Sequence, residues 1–560
     1  LITAAFLATS FWHVILSRYG FRAVTQPLMQ ALTVAALWRG LRLIRSHPTP
    51  PPELGEGRGS RRRRQGRGEG LPWLILAGFF CGLTAYTYLA ARVFPIPLAA
   101  ALLTLLVADR GHRRARLGQL ALFAAVAALT LAPLAHYWLT HPGSFLTRTQ
   151  QVAAASWAEA WAGFRACLGM FFLRGDPNIR FNLPRRPLFD PITAVLFLLG
   201  LIVVIWQVVR LARAARQLPT PEPSSSHTPL HLAACIFLLT CLPVMLLPSA
   251  LAPDGVPPSN LRTVGLLPFV YVFPALALSS LKSLISTPKS PTTSRLLVII
   301  ASCSLFIFLL LATTTAYYRD WASSAALYYA ADGDMADVAA YLNQADLTAT
   351  TPYVASIHYR HPTLAFLAED YGAARWLTGG RTVVFPAEGE ALLIFPRSAS
   401  DDLAWVQSVL PTEALTTAPL GPDGNAAFRV YHVAPASGTA PTHPLTADLA
   451  HAALLLGYDV VGQPRSGESI EIAVWWRVLS VPEQGDYGTL VRLADPWGFA
   501  WSANRHSFHY PSEQWTPGEI VVDHLSAPVA PGAPPGDYLV RFSFYSISAD
   551  HLLPVLDDAG

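Results

Sequence analysis

Arg148-Thr-Gln150 and, further on, Arg174-Gly-Asp176-Pro-Asn178-Ile-Arg180-Phe-Asn182-Leu-Pro184 lie in a polar island, residues 141–191, between two long apolar runs. Runs of roughly 20 apolar residues are what crossing about 30 Å of hydrocarbon requires. The island is therefore expected at one bilayer surface. It carries more arginine, aspartate and asparagine than a plain connector needs, so we read it as part of a substrate chamber at the outer membrane face.

The composition fits this frame. Of 560 residues, 52% are hydrophobic and 14% charged, where a soluble domain carries roughly a quarter charged. The deficit is concentrated before residue 316, where the long apolar runs recur. A net charge of +4 gives no nucleic-acid footprint. Cys81, Cys167, Cys235, Cys241 and Cys303 all lie in or beside apolar segments. The polar C-terminal part thus has neither a disulfide framework nor a cysteine-based zinc site, and the thiols are expected to act as small packing residues. Leu1 opens inside an apolar run without a signal-peptide start. The chain is expected to be a fragment lacking whatever precedes it.

Residues 1–9 read as the end of a membrane helix, and a second apolar run reaches Trp38. Nine arginines then fall between Arg39 and Arg67, mixed with Pro and Gly. Such a tract buries no core and is expected as a disordered loop, cytoplasmic by the positive-inside rule. Spans follow at 71–89, 94–107, 117–139, 192–209, 230–251, 264–281 and 296–316. The short loops assigned inside are rich in Lys and Arg, and the count places the C-terminal region outside. The outer loops hold Arg18, Arg22, Arg92, Arg148, Arg174, Arg180 and Arg262. Arginine at the bilayer edge is costly unless it snorkels or meets an anion. Several on one face point to phosphate, which guanidinium binds through paired hydrogen bonds. The plainer account of each one is a lipid headgroup or a helix end.

Beyond residue 316, helical spacing at 335–342 alternates with β-rich runs at 353–357, 382–385 and 391–395, which predicts a small α/β domain over 317–440. A Pro/Ser/Gly/Thr linker spans 435–444. Strands at 469–477, 488–493 and 537–545, separated by Pro496-Trp-Gly498, Thr516-Pro-Gly518 and Pro534-Pro-Gly536, predict a β-sandwich over 441–560.

No nucleophile elbow, Walker loop or dinucleotide fingerprint is present. His506 and His509 have no nearby cysteine or acidic partner, so metal ligation is set aside; no metal site and no cofactor is evident. Asp176 offers a carboxylate for a base or a hydroxyl contact, but Asp-Pro-Asn is ordinary turn chemistry, and the turn role is favoured. His13, Tyr86, Tyr88 and His136, near outer helix ends, read as belt or packing residues. Trp497, Trp501 and Trp515 offer aromatic faces for sugar, with core and edge packing the simpler role.

Ser17-Arg18 with Gly20 and Arg22, Gly82-Leu-Thr-Ala-Tyr86-Thr-Tyr88, Arg92-Val-Phe-Pro95, Gly175-Asp-Pro-Asn178 with Asn182-Leu-Pro184 and Pro187, and Asn260-Leu-Arg262 with Gly265 and Pro268 resemble the polytopic GT-C glycosyltransferases. The likeness is to the protein-mannosyltransferase and aminoarabinose-transferase branch in bacteria. Leu456-Gly-Tyr-Asp459, Trp515-Thr-Pro-Gly518 and Pro535-Gly-Asp-Tyr538 resemble the β-sandwich appended to some members. The likeness spans nearly the whole chain as loosely spaced motifs.

The resemblance implies a GT-C-like transmembrane domain over 1–316, about eight complete helices plus a truncated first one, followed by the two extracytoplasmic domains. It implies an inverting transferase that takes sugar from a polyprenyl-phosphate donor to a lipid, glycan or protein acceptor at the outer face of the bacterial cytoplasmic membrane. In such enzymes a carboxylate in the first outer loop is the general base, and arginines hold the lipid phosphate. That loop is expected ahead of Leu1, so the catalytic carboxylate has no number here and this fragment is expected to be inactive. Arg18, Arg22, Arg92, Arg148 and Arg262 are the candidates for phosphate or sugar, with Asp176 and Asn178 for hydroxyls. The rivals are a lipid-linked sugar flippase, which should show internal repeats, and a membrane-anchored carbohydrate-binding protein.

Overall fold

The computed structural model describes all residues except 44–55, 148–150, 152, 218–227, 253–256, 286–290, 400–402, 436–439, 463–464, 482–486, 547–549 and 557–560. The chain forms two compact units, Leu1–Ser323 and Ser324–Gly560.

The first unit is helical: α1 (Ile2–Ala8), α2 (Phe11–Arg18), α3 (Thr25–Leu43), α4 (Glu56–Thr84), α5 (Pro95–Ala108), α6 (Arg113–Thr140), α7 (Trp157–Gly169), α8 (Pro191–Gln217), α9 (Thr228–Ala250), α10 (Val272–Ile285) and α11 (Pro291–Thr315). Among the described residues, six helical segments are long and apolar enough to cross a membrane: Leu89–Ala108, Arg110–Thr140, Pro191–Ala214, Thr228–Ala250, Val264–Leu281 and Leu296–Trp321. This makes the unit an integral membrane body. The other two expected spans differ. The apolar part of α4 is the shorter Glu69–Thr84, and α3 carries Gln26, Gln30 and Thr33, all fully buried. Polar side chains of this kind survive in a membrane body by facing its interior.

The arginine tract, expected as a disordered loop, is partly helical. Residues 44–55 lie outside the described residues, but 56–68 form the first turns of α4. Arg, Glu and Gln are good helix formers and propagate a helix already nucleated in the apolar segment, against about 1 kcal/mol for each of Gly57, Gly59, Gly66 and Gly68.

Close approach and inserted hydroxyls lock the helices. A Cβ on Gly200 of α8 would lie 1.9 Å from the carbonyl oxygen of Phe273 on α10, so only glycine fits. Pro133 lies inside α6. One residue beyond it, the Tyr86 hydroxyl donates to Thr130 O at 3.0 Å and accepts from Leu134 N at 3.2 Å. It thus serves both ends of the Leu134–Thr130 ladder position, beside a proline that itself donates no backbone hydrogen bond.

The second unit holds fifteen strands among its described residues: β1 (Thr350–Ser356), β2 (Arg375–Thr378), β3 (Thr382–Phe385), β4 (Glu390–Pro396), β5 (Leu415–Thr417), β6 (Phe428–Val433), β7 (His443–Leu449), β8 (Ala453–Val461), β9 (Ser469–Val478), β10 (Tyr487–Ala494), β11 (Ala500–Ser507), β12 (Ile520–Pro528), β13 (Leu539–Ser546), β14 (His551–Leu552) and β15 (Val555–Leu556). A five-stranded sheet runs β2-β1-β4-β6-β5, with β1 parallel to β2 and β4. Met335, Val338 and Leu342 of α12 (Gly333–Leu342) pack on its Val354, Ile394 and Val430.

A six-stranded sheet, β15-β7-β8-β9-β12-β3, and a four-stranded sheet, β11-β10-β13-β14, share one apolar core in which Trp476, Val522, Val491 and Phe544 meet. These are the antiparallel strands the turn signals predict. The expected boundary at 440 falls inside this unit, because β3 lies far upstream and yet pairs with β12, Val383 opposite Val522. An ion pair between half-buried Arg375 and buried Glu519 reinforces the join. Glu519 accepts from Tyr353 Oη at 2.6 Å, from Tyr510 Oη at 3.1 Å and from Arg375.

Gly200→Ala is expected to lower stability by about 1–3 kcal/mol, the usual cost of overpacking. Gly118→Ala inside α6, whose Cβ meets no described atom within 4 Å, is the control and should leave stability unchanged or raise it by up to about 1 kcal/mol. Melting curves of both variants in detergent check this.

Candidate functional site

The polar island folds around Asp176. Its side chain is 2% exposed and both oxygens are engaged. Oδ1 accepts from Asn178 N at 2.7 Å, an Asx turn of the kind Asp-Pro-Asn predicts. Oδ2 accepts from Asn260 N at 2.6 Å, which ties in the loop before the span Val264–Leu281. Burial pushes the carboxyl up to about 6, against the pull of the two N–H donors and of the Arg262 guanidinium. Asn182 Nδ2 donates to Asp176 O at 3.1 Å and to Arg186 O at 2.8 Å. A Cβ on Gly175 would sit 1.9 Å from Arg186 O, so the turn closes only over glycine. Asn260 Nδ2 donates to Phe181 O at 3.1 Å, and Trp12 Nε1 donates to Asn260 O at 3.0 Å.

Beside this frame opens a cleft of about 680 Å³, lined by Arg165, Arg174, Arg185, Phe172 and Pro258 among others. All three arginines are exposed, and no carboxylate is among the described lining residues. Arg165 comes from α7, a helix inside what the sequence reading took as loop. Its start was legible as Ser156-Trp-Ala-Glu159. Ser156 Oγ accepts from Glu159 N at 3.2 Å and Glu159 Oε2 accepts from Ala155 N at 2.8 Å, a close variant of the capping box.

The candidates are only partly brought together. Asp176, Asn178 and Arg262 share the frame, with Arg262 donating to Ala252 O. Arg18 is exposed, with its guanidinium 5.9 Å from the Tyr317 ring centre. Nearby Tyr19 meets Phe181 and Trp321, and Trp321 Nε1 donates to Ile179 O at 2.7 Å. Arg22 is exposed. Arg92 is half-buried elsewhere, donating to Phe145 O at 2.5 Å with its guanidinium 4.0 Å from the Phe145 ring centre. Arg148 lies outside the described residues. The sequence reading missed Arg186, which is drawn by the charges of Asp320 and Asp190 and packs 4.6 Å from the Phe11 ring centre.

In the second unit His509 has the acidic partner that its sequence neighbours did not reveal. Its Nδ1 is 2.6 Å from Asp523 Oδ1, which also accepts from Thr382 Oγ1 at 2.8 Å. No metal-ligating cluster occurs among the described residues. Trp515 is core and Trp501 Nε1 donates to Asp495 at 3.1 Å, whereas Trp497 is exposed. Comparison with family models, with curated proteins and with solved structures finds no match.

Asp176→Asn is expected to cost about 1–3 kcal/mol, since an amide cannot accept from both backbone donors; thermal melting in detergent reads this out. For His509, burial disfavours the charged imidazole, but the charge and hydrogen bond of Asp523 outweigh it, and the pKa is raised above 6.5. The stability this adds is complete below the unfolded value of about 6.5 and is lost as pH rises through the folded one. Amide protection in β3 and β12, corrected for intrinsic exchange, should fall over that window in the wild type, while in Asp523→Asn this dependence should vanish.

Proposed function

We propose that this chain is the membrane body and extracytoplasmic part of a GT-C-type glycosyltransferase. It would transfer a sugar from a polyprenyl-phosphate donor to a lipid, glycan or protein acceptor at the outer face of a bacterial cytoplasmic membrane. The observation that carries the reading is the cleft lined by Arg165, Arg174 and Arg185, with no carboxylate among its described lining residues. Guanidinium groups pair with phosphate oxygens in a bidentate way. The neighbouring Asp176–Asn260 frame adds Arg262.

In the reaction the acceptor oxygen bonds to the anomeric carbon as the bond from that carbon to the phosphate oxygen breaks. The acceptor proton passes to a carboxylate base, which the resemblance assigns to a first outer loop. Negative charge grows on the departing phosphate, and arginines fixed in advance stabilise it most in the transition state. A donor whose tail stays in the bilayer reaches such a cleft from the side, which accounts for a transferase built on spanning helices.

The test is the gene's complete product in bilayers with radiolabelled polyprenyl-phosphate sugars. Release of free polyprenyl phosphate dependent on an acceptor is the expected result. Movement of the donor between leaflets without release would replace this reading with a flippase. Arg174→Ala with Arg185→Ala should lower turnover roughly 100-fold or more at unchanged membrane expression, and lysine at both positions should restore only part of it.

A further inference from the structure

A second cavity lies within the membrane body, away from the arginine cleft. It has a volume of about 240 Å³ and is walled by α3, α5, α9 and the stretch Phe269–Val272, with Leu37, Leu41, Leu98, Leu105, Leu230 and Phe237 among its lining. Every lining side chain is apolar except the indole N–H of Trp38. A water's share of the liquid is about 30 Å³, so a run of several methylene groups fits, while the apolar lining offers a charged headgroup no partner.

One end of the cavity is strongly basic. Leu41 and Leu105 line it, and just beyond them in the chain come exposed Arg42, Arg110, Arg113 and Arg114. Arg113 Nε donates back to Leu106 O at 3.1 Å, one residue from the lining Leu105. The carboxylates at this end are outnumbered among the described residues. Asp109 is 3% exposed and held by Arg116 Nε at 3.0 Å, and Glu69 sits on α4 beside Gly70, whose carbonyl lies against Gly40. Arg116 Nη1 also donates to Leu41 O at 3.1 Å, so a buried ion pair braces the backbone at this end of the cavity.

We propose that this cavity holds one acyl chain of an anionic phospholipid, with its phosphate among Arg42, Arg110 and Arg113. The inference is independent of the transferase reading. An apolar slot alone would take any lipid tail. The charge at its mouth selects the headgroup, since each arginine near a membrane surface is worth roughly a fivefold preference for anionic lipid.

The delipidated protein would be titrated by native mass spectrometry with dioleoyl phosphatidylglycerol and, separately, dioleoyl phosphatidylcholine. One tightly held phosphatidylglycerol per chain is expected. Replacing Arg42, Arg110 and Arg113 with Gln should lower its preference over phosphatidylcholine by roughly fivefold per arginine. Ala234→Phe, which fills the half-exposed side of the cavity, should abolish tight binding of both lipids. The arginine variant leaves the packing intact, so it remains decisive if Ala234→Phe fails to fold. Equal binding of the two lipids by the wild type, or a preference that survives the arginine changes, overturns the proposal. So does displacement of phosphatidylglycerol by polyprenyl phosphate at lower concentration, which would assign the slot to an isoprenoid chain.

Discussion

The candidate site depends on one buried carboxylate. Asp176 accepts a backbone N–H from its own turn and another from Asn260, 84 residues further along the chain. A desolvated carboxylate is expensive unless its donors stay in place, so the two loops are obliged to hold station together. The helices Thr228–Ala250 and Val264–Leu281 are anchored through one loop and Pro191–Ala214 through the other. Gly175, Pro177, Pro257 and Pro258 form walls of the arginine cleft, which therefore stands on a frame fixed before any ligand arrives. Preorganisation of that kind is what lets fixed charges act on a transition state without paying to reorient.

The arginines divide by what surrounds them. Arg92 is spent on an aromatic pair and a carbonyl, and Arg186 packs on Phe11 near two carboxylates. Arg165, Arg174 and Arg185 face open space. A count of arginines per loop treats all of these alike. Their neighbours separate structural from available charge, and those neighbours come from distant parts of the chain.

What the sequence made legible follows from the range of each interaction. Long apolar runs announce most of the spanning helices, because the bilayer imposes length and hydrophobicity locally. The Asp176-Pro-Asn178 turn and the runs that become β1, β3 and β4 were readable for the same reason. Helix α7 was missed although Ser156 and Glu159 mark its start, since its 13 residues lie in a stretch read for its charges. The partnerships of His509 with Asp523 and of Glu519 with Tyr353 were beyond reach. They depend on strand pairings that carry no short-range signature, as does the transfer of β3 into the C-terminal sheet.

That transfer bears on how the polypeptide can be divided. The linker at 435–444 looks like a natural place to cut, yet a fragment beginning there would lack Thr382–Phe385. Strand β12 would then end the sheet with the N–H and C=O groups that bond β3 left open, along a line that includes the fully buried Val521 and Val522. An uncovered apolar edge of that sort is a template for intermolecular pairing. The excised β-rich piece would thus be inherently adhesive, and a genetic boundary that respects the fold has to lie upstream of β1.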